Sequence, residues 1–165
     1  MGAWAGQSKL GRGGPTTAGL HMLLLILSAA CAGLFCGAAL YVNFVEHPAR
    51  MSCGPELALR EFAPSYQRAT TMQASLAIGG LILGLISAWQ LRDPWVAVGA
   101  LLLGASVPFT LIVLFPVNRQ LIDPTLDPHD PRATSLLRRW NQLHAVRTFL
   151  SATAFGALLC RVAMR

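Results

Sequence analysis

The stretch Trp140–Cys160, WNQLHAVRTFLSATAFGALLC, decides how this chain folds, because it can cross a membrane only with two ionisable side chains inside it. Its uncharged part, Thr148–Cys160, is about 13 residues, or roughly 20 Å of helix against a hydrocarbon core of roughly 30 Å. Beginning the span near Trp140 restores the length and takes in His144 and Arg147. Ionisable groups at that depth are costly and turn toward a bundle interior, a partner or a wet cavity. A step of about 100° per residue puts Trp140, His144, Arg147 and Ser151 on one helical stripe. That stripe is a candidate site. The plainer alternative has Trp140 as an interfacial anchor, Arg147 snorkelling to headgroups and His144 bonding a backbone carbonyl.

Working outward, the stretches 20–45, 69–91 and 95–118 carry no charge, and each is long enough to span with some tilt. Of the 165 residues, 54% are hydrophobic and only 12% charged. The expected fold is all-α, an integral membrane four-helix bundle over residues 19–165, multi-pass in the lipid bilayer. Its helices fall at about 20–46, 65–91, 95–117 and 137–162. Residues 1–18, rich in Gly, Ser and Thr, read as a disordered N-terminal tail. Lys9 and Arg12 precede the first apolar run as in a signal peptide, but the run is about twice the usual length, which predicts a retained helix.

A formal net charge of +6 would suggest nucleic acid in a soluble protein. Here the arginines are scattered through loops and ends, which points to lipid headgroups instead and to no nucleic-acid partner. Of the four cysteines, Cys31, Cys36 and Cys160 fall in spans and Cys53 in a loop. With no C-x-x-C present, a thiol redox site or zinc knuckle is not expected.

Proline and glycine punctuate the chain. Pro48 predicts an end to helix 1 near Glu46-His47, and Pro64 a start for helix 2 after a short interfacial helix over 56–62. Gly80 and Gly84 form a GxxxG contact motif. Arg92-Asp93-Pro94 is a minimal turn that makes helices 2 and 3 antiparallel neighbours. Pro108 predicts a kink, with Ser106 or Thr110 bonding freed backbone groups.

With this topology all four helices bring polar groups to one end of the bundle. Helix 1 offers Asn43, Glu46 and His47; helix 2 offers Arg68 with Thr71 and Ser75; helix 3 offers Asn118; helix 4 offers Trp140, His144 and Arg147. Two histidines, a carboxylate and an amide are a donor set for a metal, although the paired helical spacing of known sites is missing. The other chemistry is a histidine base beside a guanidinium that stabilises an oxyanion. It suits proton removal from a lipophilic carbonyl or phenolic small molecule entering from the bilayer.

Val45-Glu46-His47-Pro48-Ala49-Arg50, Pro64-Ser65-Tyr66, Met72-Gln73-Ala74, Pro116-x-Asn118 and Trp140-x3-His144-Ala-Val-Arg147 together resemble the four-helix membrane proteins of the DUF1772, or anthrone oxygenase-like, family. The similarity runs from about residue 20 to 163 in motif order. The resemblance implies an integral membrane protein, some of whose relatives oxidise anthrones to anthraquinones with molecular oxygen. It carries over Glu46, His47, Asn118, Trp140, His144 and Arg147.

The working expectation is an anthrone-oxygenase-like monooxygenase with O2 as co-substrate and no specified cofactor. His144 or His47 removes a proton, Arg147 holds the enolate and Glu46 orients a histidine. Trp140 and Tyr66 stack on a flat substrate, with Asn118 and Arg68 also binding it. The rival is a non-enzymatic tetraspan protein that binds a lipid or a partner protein. The many small residues also allow a homo-oligomer.

Overall fold

The computed structural model describes residues 17–165. The expected tail, apart from its last two residues, lies outside the described residues. Four helices, each long and apolar enough to cross a membrane, form an antiparallel bundle. Helix α1 comprises Thr17–Tyr41, a π-helical turn Val42–Glu46 and a last α-helical segment His47–Ser52. Helix α2 is Pro55–Leu91. Helix α3 is built from Pro94–Gly104, Ser106–Phe109, a second π-helical turn Thr110–Leu114 and Phe115–Leu121. Helix α4 is Pro131–Ala163. α1 packs on α2 and α4, and α3 packs on the same two, so the cross-section is a square with α1 and α3 diagonal.

The helices run further than their proline signals suggest, for a local reason. Pro48 lacks the N–H that would bond four residues back, and its ring crowds that carbonyl. α1 absorbs the defect by widening: the His47 N–H reaches Val42 O, five residues back, and the helix continues to Ser52. α3 repeats the device before Pro116, where the Phe115 N–H reaches Thr110 O. Pro64 likewise lies inside α2, whose 37 residues absorb the separate interfacial helix expected over 56–62. Only Cys53 and Gly54 separate α1 from α2, and Gly54 takes φ +88°, which glycine alone adopts cheaply. Where a kink is expected at Pro108, the α-helix is interrupted at Ala105, and Thr110 Oγ1 donates to Ser106 O at 2.7 Å.

The bundle has two apolar layers. One gathers Leu25, Phe35, Val96, Leu103 and Leu158 around the middle. There Gly80 and Gly84 let α2 approach its neighbours: Ser28 Oγ donates to Gly80 O at 2.8 Å, and Ala100 Cβ closes over Gly84. The second layer gathers Phe62, Leu114, Leu137 and Trp140 at the end where α1 stops and α2 begins. Between the two layers sit the buried polar residues Asn43, Gln73, His144, Thr148 and Ser151. At the opposite end Asp93 caps α3 by accepting from Trp95 N–H at 3.1 Å. The same carboxylate receives Arg161 at 2.5 and 2.9 Å and Arg165 at 2.7 Å, which ties the end of α4 to the α2–α3 turn.

Candidate active site

The widened turn of α1 points Asn43 into the bundle, where it bonds three side chains of α4. Its Nδ2 donates to Asn141 Oδ1 at 2.8 Å and to Asn141 backbone O at 3.2 Å. Its Oδ1 faces His144 Nδ1 at 2.9 Å and accepts from Thr148 Oγ1 in a short hydrogen bond. A backbone carbonyl only accepts, so the amide orientation follows from the Asn141 contact. Oδ1 is then an acceptor, and His144 Nδ1 must carry the hydrogen. Nε2 is left as the nitrogen with a free lone pair, which is what a general base requires.

His144 is buried and stacks on Trp140, with ring centroids 4.8 Å apart. Trp140 also meets His47 at 5.6 Å and the edge of Phe62 at 5.2 Å, and its Nε1 donates to Asn118 Oδ1 at 2.8 Å. Trp140 is only 6% exposed and packs against both imidazoles, with the Arg50 guanidinium 5.9 Å over its ring. His47 is equally buried, and its Nδ1 has no hydrogen-bond partner.

Two guanidinium groups flank this ring stack. Arg50, also buried, pairs with Glu46 and Glu61 and lies 5.6 Å above the Phe62 ring. Its Nε is within ion-pair range of Glu61 but lacks the alignment of a hydrogen bond. Ser65 Oγ donates to Glu46 at 2.7 Å. Arg147 turns inward: Nη2 donates to Gln73 Oε1 at 2.8 Å and Cζ lies 5.3 Å over Phe35. Among the described residues no carboxylate pairs with Arg147, and its Nε has no partner.

The structure thus brings together Glu46, His47, Asn118, Trp140, His144 and Arg147, with Tyr66 stacked on Phe62 at the cavity wall. Two expectations are corrected. Glu46 does not orient a histidine, because its carboxylate is taken by Arg50 and Ser65; Asn43 does that work. Arg68 stays outside: it is exposed and donates to its own helix at Pro64 O, 3.3 Å away. Thr71 and Ser75 share its outward face and bond Gln67 O and Thr71 O. The inward face of α2 is Tyr66–Gln73–Ala77–Gly80–Gly84, which the glycine motif extended backward would have identified. The lone asparagine in the first apolar run was the signal for Asn43. Among the described residues no three His, Cys, Asp or Glu side chains converge as a metal-ligating group.

The space at the centre is small. A cavity of about 20 Å³ is lined by Arg50, Tyr66, Gln73, Trp140, His144 and Arg147, among others, enough for one water-sized molecule. Outside Glu46 and Arg50 lies a groove of about 370 Å³ between α1 and α2, lined by Tyr41, Val45, Cys53, Leu57 and Glu61. Glu46 and Arg50 border both spaces.

A family model described as anthrone oxygenase matches residues 62–157. The match is narrower than the motif resemblance. It takes in Tyr66, Gln73, Asn118, Trp140, His144 and Arg147 but omits α1 with Asn43, Glu46 and His47. No curated protein and no solved structure matches the chain.

Proposed function

This chain belongs to the anthrone oxygenase family, and from that premise we propose that it is a membrane-embedded oxygenase for a lipophilic aromatic substrate of anthrone type. The observation that carries the reading is His144, set by Asn43 with its hydrogen on Nδ1, in the same cavity as an Arg147 that has no carboxylate partner. His144 Nε2 takes a proton from the methylene conjugated with the substrate carbonyl. Charge moves to the carbonyl oxygen, where Arg147 N–H groups stabilise the enolate. The enolate carbon bonds O2, and the peroxide anion recovers the proton from the imidazolium. Loss of the second C–H proton with cleavage of the O–O bond leaves a quinone carbonyl and releases water. One CH2 and one O2 become one C=O and one H2O, so no external reductant is consumed.

The outer groove is of small-molecule size, whereas the inner cavity is far below the roughly 300 Å³ at which such pockets begin. The substrate accordingly approaches from the bilayer along the groove, and Arg50 must move from between Glu46 and the Phe62–Trp140 rings to admit it. The test is oxygen uptake under 18O2 with an anthrone and the protein in lipid nanodiscs. One label in the quinone and one in water, formed faster than with empty nanodiscs, supports the proposal. A rate equal to the spontaneous one counts against it.

The closed cavity also favours a second reading, a non-enzymatic tetraspan protein whose buried polar residues fix helix register while its groove holds a lipid or a partner segment. His144→Ala would then lower stability and alter no turnover.

A further inference from the structure

A second cavity, of about 80 Å³, lies across Arg147 from the ring stack, between α2, α3 and α4. Arg147, Gln73 and Thr70 line both spaces, so the guanidinium forms part of the wall between them. On this side the polar groups are Thr70, Gln73, Ser106, Thr110 and Arg147, set among Phe35, Ala77 and Leu111. Ser106 is 1% exposed and its Oγ has no hydrogen-bond partner; Arg147 Nε has none either. Two buried polar atoms without a hydrogen-bond partner, on residues that line one cavity, are a feature that folded proteins rarely leave unexplained.

Charge adds to the geometry. Arg50 is neutralised by Glu46 and Glu61, but among the described residues no acid pairs with Arg147. Snorkelling does not relieve it. The side chain is folded inward onto Gln73 and Phe35, and Arg161 near the far end of α4 is about 21 Å away along the helix. A water satisfies a donor but leaves the positive charge uncompensated at membrane depth, where such charge is costly.

We infer that this cavity is a binding site for a compact monoanion, held by Arg147 Nε and Ser106 Oγ, with Gln73 positioning the guanidinium. The volume admits an ion of one to three heavy atoms and excludes phosphate esters and fatty-acid headgroups with their chains. The chemistry is shared by a resident halide and by formate. The site therefore stands independently of the oxygenase reading.

The experiment uses the full chain in nanodiscs, titrated with sodium formate against sodium gluconate at constant ionic strength, gluconate being too large to enter. The expected result is a saturable rise in unfolding temperature of about 2–4 °C with formate alone. Ser106→Ala weakens the formate response at least about tenfold, since a hydrogen bond to a charged group is lost. Arg147→Gln abolishes it. Bromide soaked into crystals places an anomalous peak against Arg147 Nε. The inference is overturned if formate and gluconate act alike, if Ser106→Ala responds as wild type does, or if the crystals hold water alone in the cavity. Should formate bind while anthrone oxidation stays at the spontaneous rate, the anion site stands and the oxygenase reading falls.

Discussion

His144 Nδ1 lies 2.9 Å from Asn43 Oδ1, joining residues 101 apart in the chain across the α1–α4 interface. Asn43 reaches that position because α1 widens by one residue per turn just before Pro48. The orientation of the candidate base thus depends on a backbone irregularity in another helix. Asn43→Ala removes bonds to Asn141, His144 and Thr148 together. At about 0.6 kcal/mol for each interhelical bond in a membrane protein, a loss of about 2 kcal/mol is expected. Unfolding of the variant in a mixed-detergent titration measures it. A loss near zero would show that the network does not hold the interface.

Trp140→Phe keeps a ring against His144 but deletes the Nε1 donor to Asn118 Oδ1. Asn118 is buried, so its Oδ1 loses the donor it has in the folded bundle. A loss of about 1–2 kcal/mol is expected, with activity reduced less than tenfold because the base itself is intact. Thermal unfolding and uptake rate, measured on one preparation, separate the two effects.

Asp93 predicts a pH response at the opposite end. Burial alone would raise its carboxyl, but hydrogen bonds from Arg161 and Arg165, the Arg161 charge and the Trp95 N–H outweigh it and hold the group below the usual Asp value. A depressed carboxyl contributes stability above its unfolded pKa and loses it as pH falls through the folded value. The clamp is therefore intact at neutral pH and opens only in acid below the ordinary Asp range. Hydrogen exchange of the last turns of α4 should rise there in wild type. In Asp93→Asn it should already be fast at neutral pH, with no further change in acid.

Gly84 and Gly79 make a matched pair. A Cβ at Gly84 would lie 2.6 Å from Ala100 Cβ and 2.7 Å from Ser28 Oγ, whereas one at Gly79 meets nothing within 4 Å. Gly84→Ala is expected to cost about 1–3 kcal/mol by overpacking. Gly79→Ala is expected to be neutral or stabilising by up to about 1 kcal/mol. Equal effects at the two positions would mean that α2 does not approach α3 as described.

Those glycines also show what was legible in the sequence. The number of spans, the antiparallel turn at Arg92–Pro94 and the close α2 contacts follow from hydropathy and small-residue spacing. The α4 stripe followed as well: Trp140, His144 and Ser151 are buried, and Arg147 turns inward. Helix ends were misplaced at Pro48 and Pro64, because a proline states only that a hydrogen bond is missing and not how the helix compensates. Arg68 was assigned by its charge and depth, when the α2 face is set by the register of Gly80 and Gly84. The pairing of Glu46 with Arg50 rather than with a histidine depends on side-chain distances that no spacing rule encodes.

Anthrone-dependent oxygen uptake by wild type and His144→Ala, each in nanodiscs and corrected for spontaneous oxidation, tests the base assignment most directly. Loss of a positioned general base predicts a fall of about 10²–10⁴-fold in the variant, with the fold retained by circular dichroism. A folded His144→Ala protein that consumes oxygen at the wild-type rate would contradict it.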